Sequence, residues 1–311
     1  MTRRKGWIFG VLVVAVGSGS IAQGQERKEQ PKRPQFRVPE GVKAERDIDY
    51  VGGGLKSQML DLFAAEEASE PLPLVVWIHG GAWQSGSKEN CPALPLATRG
   101  YAVASINYRL TGEASFPAQI EDCRAAIRWL RANAEKHHLD PRRIGVWGAS
   151  AGGHLVALLG TSADVKGWDG VGGHSNESAR VQAVCDYFGP ADFLLHFNPD
   201  RATKADSPIT RLLGGPLKDK QDEARKASPV TYISKDDPPF LIVHGDQDPL
   251  VPIVQSELLC DALKKAGVDV TLLKVKNGKH GAFGPECEPS PMEIRDTVFK
   301  FFDNNLKKSS Q

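Results

Sequence analysis

The stretch RIGVWGASAGGHLVALL, residues 143–159, decides the fold. Its first part, Arg143–Gly148, reads as a short buried strand, and its last part, Ala151–Leu159, reads as a helix. Between them Gly148-Ala149-Ser150-Ala151-Gly152 leaves no length for a loop, so the chain must turn sharply from strand into helix. A turn that tight brings backbone segments together, and Gly148 and Gly152 remove the Cβ atoms that would collide. The Ser150 hydroxyl is then held out at the top of a sheet. The Ala151 amide opens a helix and faces any negative charge that develops there. Gly-x-Ser-x-Gly is a weak pattern by itself; set on strand–turn–helix it marks a nucleophile. The plainer alternative is a tight turn with an inert serine.

Outward from this stretch, apolar runs alternate with helical ones. Arg46–Val51 and Gln58–Ala64 are strand-like and are joined through Gly52-Gly53-Gly54 as a hairpin. Leu74–Ile78, Tyr101–Tyr108, Arg143–Gly148, Val181–Phe188, Phe240–His244 and Val270–Val275 are further strands. Leu74–Ile78 is apolar throughout, as a strand covered on both faces must be. Pro117–Ala134 carries Ile120, Cys123, Ile127, Leu130 and Ala134 at helical spacing, after which Asp140-Pro141 reads as a break. Ser256–Ala266 and Met292–Leu306 are the later helices. The alternation predicts an α/β fold: a mostly parallel eight-stranded sheet with helices on both faces, the first two strands antiparallel. Chemistry is expected in loops at the carboxyl ends of the strands. Thr161–Arg180 and Asn198–Asp237 resist this pattern. The latter is an insertion after the sixth strand, expected to form part of a substrate wall, with surface decoration as the alternative.

Two loops supply what a serine nucleophile needs. His79-Gly80-Gly81-Ala82-Trp83 follows Leu74–Ile78 directly. Acyl transfer requires at least two donors aimed at an oxyanion; Ala151 gives one, and Gly81 and Ala82 are assigned as the others, with His79 supporting their loop. The base is His280, in the loop after Val270–Val275, and the acid lies in His244-Gly245-Asp246-Gln247-Asp248 after Phe240–Val243. Ser150, Asp248, His280 is the chain order of a strand–turn–helix serine hydrolase. Asp246 competes with Asp248; Asp248 fits the motif better and Asp246 suits a loop cap. His137 and His138 end a helix and are expected in solvent, His154 packed, His174 and His196 on the surface, and His244 structural. Trp83 and Phe283 flank the reacting groups in sequence and are candidates for an acyl pocket, with ordinary core aromatics as the alternative. No metal and no organic cofactor is required by this chemistry.

Composition bounds the rest. Of 311 residues, 41% are hydrophobic and 25% charged, which excludes a collagen, a coiled coil and a polytopic membrane protein. Lys+Arg 39 against Asp+Glu 38 provides no broad positive field for a nucleic acid. Arg3, Arg4 and Lys5 precede an apolar Trp7–Val16 and a small-residue Gly17–Gly24, the layout of a signal peptide cleaved after Ala22; the alternative is an uncleaved membrane anchor, for which Gly17, Ser18, Gly19 and Ser20 break the apolar run too early. Export follows, to periplasm or medium, and no membrane span in the mature chain. Residues 23–42 read as a flexible leader and 43–308 as the catalytic domain. Of five cysteines, Cys123 and Cys185 sit on apolar patterns as buried thiols, and Cys260 with Cys287 is the candidate disulfide.

Together, Gly148–His154, His79–Trp83, Asn107-Tyr108-Arg109 and His244–Pro252 resemble the α/β-hydrolase superfamily, and within it the bacterial feruloyl/acetyl esterase-like (BD-FAE-like) branch near the hormone-sensitive-lipase-type carboxylesterases. The resemblance spans roughly Val42 to Leu306. Ala82 departs from it, standing where the lipase-type loop usually has a third glycine; a backbone amide survives that change. The resemblance implies a secreted serine carboxylic ester hydrolase working through an acyl-enzyme on a small-molecule or oligosaccharide ester, such as acetyl or feruloyl esters of plant polysaccharide. The alternatives are a serine peptidase or aminopeptidase of the same fold, and a non-catalytic binding scaffold.

Overall fold

The computed structural model describes residues 37–195, 206–281 and 283–307. The segment read as a signal peptide, most of the stretch read as a leader, and His196 lie outside them. Eight strands form one sheet: β1 Val42–Asp49, β2 Met59–Ala65, β3 Leu72–Ile78, β4 Ala102–Ile106, β5 Leu139–Ala149, β6 Ala183–Tyr187, β7 Phe240–Gly245 and β8 Val270–Val275. Their order is β1-β2-β4-β3-β5-β6-β7-β8. β2 runs antiparallel to both β1 and β4, and every other pairing is parallel. After β4 the chain crosses back over β3 to lay down β5, so the strand order reverses there. A crevice opens at such a switch point, outside the carboxyl ends of β3 and β5. The loops leaving those two strands are the ones that carry His79–Trp83 and Ser150.

Strand side chains alternate between two cores. Leu74, Val76 and Ile78 of β3 join one cluster with Ile120, Ile127, Leu155, Leu158, Leu259 and Leu263. Val75 and Trp77 point the other way, among Leu96, Val298, Phe299 and Phe302. One face is thus covered by α1 (Ala118–Ala132), α2 (Ala151–Thr161) and α5 (Val254–Ala266), and the other by a 3-10 segment at Leu94–Arg99 and by α6 (Pro291–Leu306). Burial on both faces explains why the central strands are continuous apolar runs.

Four expectations are corrected. Asp140-Pro141 does not break the chain before β5; it lies inside the strand, in an irregularity where Leu72 pairs with Leu139 but Leu74 pairs with Ile144. A bulge of this kind tolerates a proline that the ladder would not. Cys260 and Cys287 are not bridged: all five cysteines are free and buried, and these two belong to the cores on opposite faces of the sheet. His137 is not in solvent; it is buried against Trp129, with Nδ1 3.3 Å from Glu45. The leader ends one residue early, since Val42 is buried and opens β1.

The segment after β6 contains α3 (Pro208–Leu213) and α4 (Gln221–Ala227). It is tied to the catalytic layer by backbone bonds from Phe116 to Leu212 and from Val230 to Ala191. In Thr161–Arg180, Asp169 receives the guanidinium groups of Arg124 and Arg128, which fasten that segment to α1.

Candidate active site

Ser150 sits where β5 becomes α2, with φ 57° and ψ −117°. This left-handed conformation is strained for a non-glycine residue and persists because its surroundings fix it. The Ser150 amide donates to the Tyr187 carbonyl at 2.8 Å, and the Ser150 carbonyl accepts from His154 at 2.9 Å. A Cβ on Gly152 would collide with the Ile78 carbonyl oxygen, and one on Gly148 with the Gly152 carbonyl. The elbow therefore needs both glycines for close approach.

The Ser150 hydroxyl lies 2.9 Å from His280 Nε2, and His280 Nδ1 lies 2.7 Å from Asp248 Oδ2. Three residues far apart in sequence thus form one hydrogen-bonded chain over the carboxyl edge of the sheet. The Asp248 side chain is fully buried. Its Oδ1 accepts the amides of Leu250 at 2.8 Å and Val251 at 2.9 Å. Burial by itself would push this carboxyl up. Hydrogen bonds from His244 and His280, then from the two amides, outweigh it and hold the group well below the usual carboxylate range. Asp246, the competing acid, is exposed; its amide donates to the Val275 carbonyl.

The loop after β3 presses on Ser150: a Cβ on Gly80 would meet Ser150 Cβ at 3.4 Å and the Ala149 carbonyl more closely still. Gly81, Ala82 and Trp83 take φ of 110°, 55° and 58° in succession. The tight curl is closed by the Gly81 carbonyl, which accepts from Gln84 at 3.0 Å and Ser85 at 3.1 Å. Among the described residues, the amides of Gly81, Ala82 and Ala151 donate to no protein acceptor. His79 braces the curl with Nδ1 2.7 Å from the Gly80 carbonyl, its ring stacked on Tyr108 at 4.4 Å. Burial pulls the His79 imidazole down to about 4, so it stays neutral at neutral pH.

Trp83 is buried, and its indole N–H donates to His154 Nδ1 at 3.2 Å. His154 in turn meets the Ala227 carbonyl through Nε2 at 2.7 Å, and burial lowers its imidazole to about 4. Phe283 is half-buried against Tyr187 and Phe188. Two residues in contact with the relay escaped the sequence reading of the site. Phe188, with φ 44°, lays its ring 4.7 Å from that of His280. Its position just past a strand end was the available signal. His244 touches Asp248 itself, with Nε2 3.3 Å from Oδ2. The four-residue spacing between them was visible, but not that a tight turn folds one back on the other.

The geometry agrees with what the chain is similar to. The family model described as BD-FAE matches residues 60–263. Esterase LipQ of Mycobacterium tuberculosis is 31% identical over 75% of this chain and 56% of its own length. The chain thus spans little more than half of the first curated relatives it matches. Among solved structures, a truncated form of a carbohydrate esterase from gut microbiota superposes with TM-score 0.77 at 32% identity, over 86% of this chain and 97% of that one. An acetyl ester-xyloside bifunctional hydrolase from Caldicellulosiruptor lactoaceticus superposes with TM-score 0.64 at 27% identity, over 79% of this chain and 85% of that one. With the family match covering more than half of its length, the chain belongs to the BD-FAE family of α/β-hydrolases.

Proposed function

We propose that the protein is an exported serine carboxylic ester hydrolase that cleaves short acyl esters of carbohydrate through an acyl-enzyme. The observation that carries this reading is the unbroken sequence of contacts from Ser150 Oγ to His280 at 2.9 Å and from His280 to Asp248 at 2.7 Å. His280 Nε2 takes the Ser150 proton as Oγ attacks the ester carbonyl carbon. Asp248 fixes the Nδ1–H tautomer and stabilises the imidazolium that forms. The amides of Gly81, Ala82 and Ala151 receive the oxyanion. His280 then gives its proton to the departing alcohol, and water repeats the sequence on the acylated serine.

The carbohydrate alcohol is supported by the names of two structural relatives, the gut carbohydrate esterase and the acetyl ester-xyloside hydrolase. Export is supported by the basic, apolar and small-residue order of residues 3–24. The test is turnover of p-nitrophenyl acetate, methyl ferulate, acetylated xylan and an aminoacyl anilide by the wild type and by Ser150→Ala. Acetyl ester hydrolysis that vanishes in Ser150→Ala, with circular dichroism unchanged and fluorophosphonate labelling lost, supports the reading. Retained hydrolysis, or turnover of the anilide alone, overturns it.

A further inference from the structure

His244 has no part in the relay from Ser150 to Asp248, yet it is fully buried at the end of β7 with both ring nitrogens engaged. Nδ1 lies 2.6 Å from the Ser256 hydroxyl, in the first turn of α5. Nε2 lies 2.9 Å from the Val251 carbonyl and 3.3 Å from Asp248 Oδ2. A carbonyl and a carboxylate are acceptors only, so Nε2 carries a hydrogen; it donates to the Val251 carbonyl, with Asp248 Oδ2 alongside as a longer contact. The Ser256 hydroxyl satisfies Nδ1 and fixes the rotation of the ring. Val251 closes a loop of contacts: its carbonyl accepts from His244 while its amide donates to Asp248 Oδ1.

We propose that His244 is the positioning residue for the acid, its Nε2–H fixing through the Val251 peptide the backbone that holds Oδ1 and lying against Asp248 Oδ2 as a second, longer contact. The proposal rests on the reading of Asp248 as the acid of the relay. Oδ2 then serves two imidazoles, and the share of its charge drawn to His244 is withheld from His280. Take the His244 donor away, and His280 faces a more negative oxygen. The other groups facing His244 are the Asp186 carboxyl of β6, within electrostatic reach, and the Phe188 ring at 6.2 Å. Lys274, its partner across β8, is an exposed residue paired with Glu257 and takes no part.

Asparagine and glutamine divide the two ends of the ring. His244→Asn can keep the Ser256 contact but cannot reach Asp248; His244→Gln places an N–H close to where Nε2 stood. The experiment is kcat and KM against pH for both variants, each normalised to the sites labelled by a fluorophosphonate. We expect His244→Asn to lose about tenfold in kcat at little change in KM and to move the acid limb of kcat/KM up by about half a pH unit. His244→Gln should stay within about threefold of wild type, with its limb in place. The difference should persist in an Asp186→Asn background. Equal behaviour of the two variants, or a limb that moves only while Asp186 is present, overturns the proposal, as does a loss of labelled protein with no limb shift in what remains. The relay reading is judged separately: if Asp248→Asn retains turnover that reading fails, whereas if Asp248→Asn is crippled and both His244 variants match wild type, only the positioning role fails.

Discussion

Two aspartates at the same edge of the sheet are shifted in opposite directions by their surroundings. Asp248, in the loop after β7, receives two backbone amides on Oδ1 and two imidazoles on Oδ2. Asp186, on the neighbouring β6 and paired with Gly148 of the elbow, has one amide from Gly189 on Oδ1 at 2.9 Å, while its Oδ2 is buried without a hydrogen-bond partner among the described residues. Neither side chain is open to solvent, but Asp186 lies deeper, inside a central strand, whereas Asp248 sits in a loop at the surface layer. Burial pushes Asp186 up to about 6, and the Gly189 amide and the field of His244 only partly offset that. At Asp248 the directed donors win. How readily a carboxyl in this fold ionises is set by its depth together with how many hydrogens the backbone and side chains aim at it. Asp186 also sits where Gly153 leaves space, since a Cβ there would strike its Oδ1. It therefore lies under the nucleophile turn without touching the reacting groups.

The largest effect on this contrast should come from Asp248→Asn. The amide keeps an oxygen for Leu250 and Val251 but turns an N–H toward two imidazoles that themselves donate. His280 is left in the wrong tautomer, and kcat should fall by roughly 10⁴-fold with the fold retained. Steady-state kinetics on an acetyl ester, with circular dichroism as the control, measure it. A loss of less than about tenfold would show that the donors around Asp248 serve the fold and not the chemistry.

Asp186→Asn should act on stability and with the opposite sign. A carboxyl whose pKa is raised on folding binds its proton more tightly in the folded state. The stability this contributes is complete below about 3.8 and is lost as pH rises through about 6. The raised value corresponds to a penalty on the order of 3 kcal/mol above pH 6, which the asparagine, standing in for the protonated acid, does not carry. Urea unfolding of both proteins should show Asp186→Asn the more stable at pH 8, with the gap closing toward pH 4.5. A gap that does not change with pH would mean that an unseen partner satisfies Oδ2.

The same contrast marks what could be read from the sequence. Alternating runs predicted the sheet, because β3 and β5 are buried on both faces and show it as unbroken apolar stretches. The elbow was legible because its glycines are demanded by contacts only a few residues away. Asp248 and His280 were placed together by chain order and by their position after strands. What could not be read was the set of contacts made by folding: His244 reaching back to Asp248, Phe188 leaning on His280, His137 turned inward to Glu45. Each depends on the path of a loop, and no periodicity encodes that path. The Cys260–Cys287 pairing failed for a like reason, since nearness in the last third of the chain says nothing about which face of the sheet each side chain takes.

The smallest effect is expected two residues from the largest. Asp246 bears the same charge as Asp248 in the same loop, but it is exposed, and its turn is closed by backbone: its own amide to Val275 at 3.0 Å, Gln247 to Gly278 at 2.9 Å and Asp248 to Gly245 at 3.3 Å. An exposed carboxylate is screened by water and salt, so it acts on His280 only as a weak distant charge. Asp246→Asn should hold kcat/KM within about twofold and stability within about 0.5 kcal/mol of wild type, with any residual change fading at high salt. Measured beside Asp248→Asn at low and high ionic strength, it separates charge from placement. A salt-sensitive loss in Asp246→Asn approaching that of Asp248→Asn would mean that the field of the loop, and not the aimed hydrogen bond from His280, is what activates Ser150.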